Sequence, residues 1–72
     1  MDLIEYSTEE TLSREEAAKR LRELADQLSR HNGVSFTRDG VRYDVDVPDE
    51  VTLRFEVEVG SDGSEIEVEL NW

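Results

Sequence analysis

The sequence predicts an α+β domain, an antiparallel sheet of about five strands with one helix packed on one face, in the order β-α-β-β-β-β. Three observations carry this. Apolar residues recur at helical spacing between Ser13 and Arg30, at Ala17, Ala18, Leu21, Leu24, Ala25 and Leu28. From Gly33 onward the period is two, the mark of half-buried strands. The strand runs are separated by short turn signals, as in a sheet with one face on a core and one in water. The 72 residues make one domain, residues 1–72, near the lower size limit for a single unaided core.

Residues Leu3 to Thr11 read as a first strand, with Ile4, Tyr6 and Thr8 on one face. Ser13 is a helix N-cap, because Glu16 follows three positions on and completes a capping box. Leu12 and Ala17 are placed for a hydrophobic staple across that entry, and Glu15 and Glu16 suit the positive end of the helix dipole. The helix runs to about Arg30, and Asn32-Gly33 supplies a left-handed stop. Val34 and Phe36 then alternate with Ser35 and Thr37, and Asp39-Gly40 signals a tight hairpin turn. Val41, Tyr43, Val45 and Val47 form the next apolar row, interrupted at Pro48-Asp49 because proline cannot donate to a ladder. Val51, Leu53, Phe55, Val57 and Val59 follow, and Gly60 to Ser64 turn the chain into a closing strand from Glu65 to Trp72.

Geometry bears on function. Five strands at about 4.8 Å spacing make a sheet roughly 24 Å wide, and one helix at about 10 Å covers half of it. Three of the six stripe residues are alanine, so the cover is thin. An apolar face left partly wet predicts an interaction surface, met most simply by a two-fold homodimer.

Charge is the strongest compositional signal. Nineteen Asp and Glu stand against eight basic residues, of which only Lys19 is lysine, for a net charge of −11. Such a chain repels itself at low ionic strength, whereas at molar salt the Debye length falls to about 3 Å and the repulsion is screened. Abundant carboxylate, scarce lysine and short apolar side chains predict a halophilic protein adapted to a salt-rich cytoplasm. The same surface argues against nucleic acid, whose phosphates need Lys and Arg. The chain has no cysteine, which excludes disulfides and thiolate chemistry. No apolar run approaches the roughly 18–20 residues of a membrane span and no leader opens the chain, so a cytoplasmic location is expected, with no membrane partner.

Among candidate sites, Glu65, Glu67 and Glu69 share a strand face with Glu56 and Glu58 across the last hairpin. Hard divalent cations take oxygen ligands, which makes a cation-binding or cation-sensing face the alternative function. Ligands along a flat sheet diverge, however, and no calcium loop is present, so a salt-screened solvent face is the simpler expectation and no metal ligand is assigned. His31, the sole histidine, stands at the helix end, where a donor favours the last carbonyls, and has no nucleophile or carboxylate beside it in sequence. Ser7, Ser13, Ser35 and Ser64 lack a nucleophile-elbow context, and the glycines mark turns rather than a phosphate loop. No enzyme activity and no cofactor is expected. The remaining feature is aromatic, Trp72 with Tyr43, Phe55, Tyr6 and Phe36, which fills a core, makes a homodimer contact or docks an unidentified protein partner; the candidate interaction surface is Trp72, Leu70, Val68, Phe55 and Tyr43.

The helix entry Leu12-Ser13-Arg14-Glu15-Glu16-Ala17-Ala18, the core Leu21-Arg22-Glu23-Leu24-Ala25, the turn Val47-Pro48-Asp49-Glu50-Val51 and the ending Glu65-Ile66-Glu67-Val68-Glu69-Leu70-Asn71-Trp72 together resemble the amphi-Trp domain family. That family of small prokaryotic proteins, frequent in haloarchaea, is named for an amphipathic final segment and its tryptophan. The resemblance spans nearly the whole chain and implies a small stand-alone domain. It implies no activity, and no catalytic or binding residue carries over from it. Asn71 stands where the family often has lysine.

Overall fold

The computed structural model describes residues 4–72. Its elements are one helix, α1 (Arg14–Arg30), followed by four strands: β1 (Gly33–Arg38), β2 (Val41–Asp46), β3 (Thr52–Val59) and β4 (Ser64–Asn71). The fold is α+β, as the sequence predicts. The strands do not form one sheet of about five; they form two antiparallel hairpins, β1–β2 and β3–β4.

The helix begins where its cap requires. The Ser13 hydroxyl oxygen accepts from the Glu16 amide at 3.1 Å, and the Ala17 amide donates to the Ser13 carbonyl at 3.0 Å. The Glu16 carboxylate lies toward Arg20, 3.7 Å away, so the cap rests on the serine half of the box. Arg20 also holds Glu10 at 2.5 Å, and that hydrogen bond is the first of the causes that raise the guanidinium above its ordinary value, leaving it fully cationic. This pair ties the segment before the helix to its second turn.

The other end departs from expectation. The chain leaves α1 through His31 in an extended conformation, its amide donating to the Gln27 carbonyl at 2.9 Å, and Gly33 is not left-handed. Gly33 is needed for a different reason. A Cβ there would lie 2.4 Å from the Val45 carbonyl oxygen, because the facing strand passes directly over it. The Gln27 amide oxygen accepts from the Ser35 amide at 2.9 Å and fixes the helix against β1.

The first hairpin closes through Asp39 (φ 53°) and Gly40 (φ 77°), the two left-handed residues of a type I′ turn. Phe36 faces Tyr43 and Val34 faces Val45, all four half-buried. The expected first strand is absent among the described residues. Ile4 to Thr11 make no ladder, and Leu3 lies outside the described residues. The segment is held instead by the Tyr6 ring, stacked 4.5 Å from Phe36, and by Arg38, which donates to the Glu5 carbonyl at 3.1 Å. Alternation gave that segment a face, and the stack uses the face without an edge partner.

Between β2 and β3 the chain runs through Val47 to Val51. The Val47 amide donates to the Asn32 carbonyl at 2.7 Å, extending the first hairpin by one bond, and Pro48 then stops the ladder. No tight turn follows, so β3 does not fold back on β2. Pairing them would also bring Asp44 and Asp46 beside the acids of β3, at a cost in like-charge repulsion. No element of the first half packs against the β3–β4 hairpin among the described residues.

The outcome is an open molecule. The radius of gyration is 14.2 Å, against ~11 Å for a compact domain of this length. The accessible surface is 6856 Å², against ~4,600 Å² for a compact monomer of 8.3 kDa. No side chain among the described residues is buried. Gly33→Ala is expected to destabilise the first hairpin by about 1–3 kcal/mol, because the new methyl overpacks against backbone that has nowhere to move. Urea unfolding followed by circular dichroism in molar KCl measures this, and an unchanged midpoint would refute the close approach.

Candidate functional site

The surface that stands out is the β3–β4 hairpin, because its charged and large apolar side chains are sorted onto opposite faces. The register sets Leu53 opposite Leu70, Phe55 opposite Val68 and Val57 opposite Ile66 on one face, with Val59 at the turn end. Strict alternation sends the other residues to the opposite face, where Arg54 meets Glu69, Glu56 meets Glu67 and Glu58 meets Glu65. A four-residue turn closes the hairpin, with the Gly60 amide donating to the Gly63 carbonyl at 3.0 Å.

The apolar face is open along its length. Phe55 is 65% exposed, Ile66 69% and Val59 80%, the values of side chains with water on one whole side. Leu70 is half-buried. Strands of eight residues run about 26 Å, so this is a continuous apolar strip rather than scattered surface residues.

The acid face is held by a single cation. Two of its cross-strand pairs join like charges, which destabilises a hairpin directly. Arg54 is the one basic side chain in β3 and β4. It pairs with Glu56 along its own strand and lies 3.6 Å from Glu69 across the ladder. The Asn71 amide donates to Glu69 at 2.5 Å from the other side. Glu58 and Glu65 have no such partner among the described residues. The glutamates run along two strands instead of converging, and no group of three metal-ligating side chains comes together among the described residues.

Trp72 follows β4, outside the ladder. Its ring borders two shallow depressions, one with Asn32, Val47 and Pro48 and one with Glu50, Val51 and Thr52. It thus stands against the connection between the hairpins, 62% exposed. Of the residues singled out in the sequence, Phe55, Val68 and Leu70 share the open face, and Trp72 lies at its open end. Tyr43 does not join them: its ring stacks 5.3 Å from Phe36, in a row of three with Tyr6. Leu53, Val57 and Ile66 belong to the open face and share its parity with Phe55 and Val68, a signal the alternation already contained.

A second recess lies between the helix end and the first hairpin, lined by Gln27, His31, Ser35, Arg42 and Asp44. It is open and of mixed polarity, and along its β2 side Arg42 donates to Asp44 at 3.2 Å. No hydrogen bond joins His31 to a hydroxyl or carboxylate there among the described residues. No helix among the described residues is long and apolar enough to cross a membrane.

Fold and surface together define a small acidic α+β domain that closes on an amphipathic strand and an exposed tryptophan. The chain belongs to the Amphi-Trp domain family, whose model matches residues 2–72. No curated protein and no solved structure matches it. The matched span takes in the helix, the connection and the final strand, and it transfers no residue role.

Replacing Arg54 by Gln removes the only cation on the acid face. The expected cost is about 1 kcal/mol at low ionic strength, fading toward zero in molar KCl as screening replaces the lost charge. Unfolding midpoints of both proteins across a KCl series test this. Equal loss at every salt concentration would show that Arg54 acts through packing.

Proposed function

We propose that this protein is a salt-adapted module that acts by association rather than by catalysis, and that self-association is its principal mode. The observation that carries the reading is the absence of any buried side chain among the described residues, together with an apolar sheet face left largely open. Ordering a residue costs roughly 1–2 kcal/mol of backbone entropy, and a chain that buries so little gains too little to offset it. Association supplies the missing burial. The net charge of −11 sets the conditions, since copies repel until salt screens them. Nineteen acidic residues against a single lysine fit a protein working in salt-rich cytoplasm.

A different protein as partner is the second reading, favoured by the exposure of Trp72 at the open end of the hairpin, since tryptophan is enriched at interface hot spots. Sedimentation equilibrium over a KCl series separates the two. Self-association gives a mass above 8.3 kDa in molar KCl that falls toward the monomer as salt is removed. A monomer at every salt and protein concentration overturns self-association and leaves the heterologous partner.

A further inference from the structure

We infer that the open face of the β3–β4 hairpin receives the same face of a second copy, so that two hairpins form a four-stranded sandwich with their acids outward. The inference rests on the association reading and gives it a surface, a partner and a geometry. A lone two-stranded hairpin is marginal in water and needs a further layer on its apolar side. The first half of its own chain does not supply that layer.

Area fits a second copy. The open face presents on the order of 700 Å² of surface, close to the ~800 Å² that each partner of a standard interface gives up. The chain as a whole exposes ~2,300 Å² more than a compact monomer would, so this burial lies well within what it has to hide. Chemistry fits as well. Apart from Ser64 at the turn, the face carries no polar side chain, so a two-fold related copy meets it without stranding a donor, acceptor or charge.

Charge then chooses the mode of packing. Face to face, the two sheets stand about 10 Å apart and the carboxylate layers roughly 20 Å apart, beyond a Debye length of about 8 Å at physiological salt. Joining edge to edge through β4 would instead set Glu65, Glu67 and Glu69 of two copies beside each other at about 5 Å. It would also double the open apolar face instead of covering it. Helix α1 is a poorer cover, because its stripe is half alanine and only Leu21 and Leu24 are large and open.

The test compares wild type with Val57→Glu, Ile66→Glu and Leu21→Glu by light scattering after size exclusion in molar KCl, with circular dichroism on each. Wild type is expected at twice 8.3 kDa. Val57→Glu and Ile66→Glu are expected to weaken the dimer at least 100-fold, and Leu21→Glu to leave it within about threefold. Should the two hairpin variants lose their structure, hydrogen exchange on the wild-type dimer decides. Fast exchange at the outer amides of β3 and β4 supports the sandwich, and protection of those amides shows edge pairing and overturns it. A dimer dissociated by Leu21→Glu but not by Val57→Glu also overturns the sandwich while self-association stands. A monomeric wild type overturns both.

Discussion

Burial of apolar surface is the constraint on which the rest of this structure depends. The chain makes regular elements with well-formed local bonds: a serine cap, a type I′ turn and two complete ladders. None of these supplies enough free energy alone, since a net hydrogen bond contributes about 1 kcal/mol and each ordered residue costs as much or more. What normally closes the gap is a core, and here the apolar rows are spread over two hairpins that do not meet. The first hairpin has partial cover from α1 and the Tyr6–Phe36–Tyr43 stack. The second has none.

That division follows from the connection between the hairpins. Val47 still belongs to the first ladder through its bond to Asn32, and Pro48 ends the run of amide donors one residue later. Five residues without a tight turn carry the chain onward, and Trp72 returns to lie against them. The tryptophan therefore stands at the junction of the two halves. There it is 62% exposed, open enough to take part in a contact.

The local features were legible in the sequence and the union of the elements was not. Ser13 and Arg30 bound the helix because capping and apolar spacing are decided within a few residues. Asp39-Gly40 declared its turn because only certain residues tolerate positive φ. Alternation located four strands and sorted their faces correctly, including Phe55, Val68 and Leu70. A period of two, however, names a face and not a neighbour. Ile4 to Thr11 had the pattern and took no edge, and β2 and β3 had compatible patterns and did not pair. Tyr43 shares aromatic character with Trp72, but it lies in the other hairpin, opposite Phe36 across the turn. Asn32-Gly33 has the composition of a helix stop, yet Gly33 is required by Val45, a residue twelve positions away. What composition and period do not encode is which segments meet.

The separation of charge from apolar surface makes the acidity of this chain compatible with association instead of opposed to it. Strict alternation in β3 and β4 puts every glutamate on one side and every large apolar residue on the other. Had the acids been mixed into the apolar strip, any partner would have to desolvate them, at several kcal/mol for each unpaired charge. With the two separated, repulsion between copies acts only through solvent, where salt screens it, while contact across the apolar strip is short-ranged and largely indifferent to screening. Raising ionic strength therefore removes the opposing term and leaves the favourable one. Within the β3–β4 hairpin salt also relieves Glu56 against Glu67 and Glu58 against Glu65, so that the strip itself folds better under the same conditions.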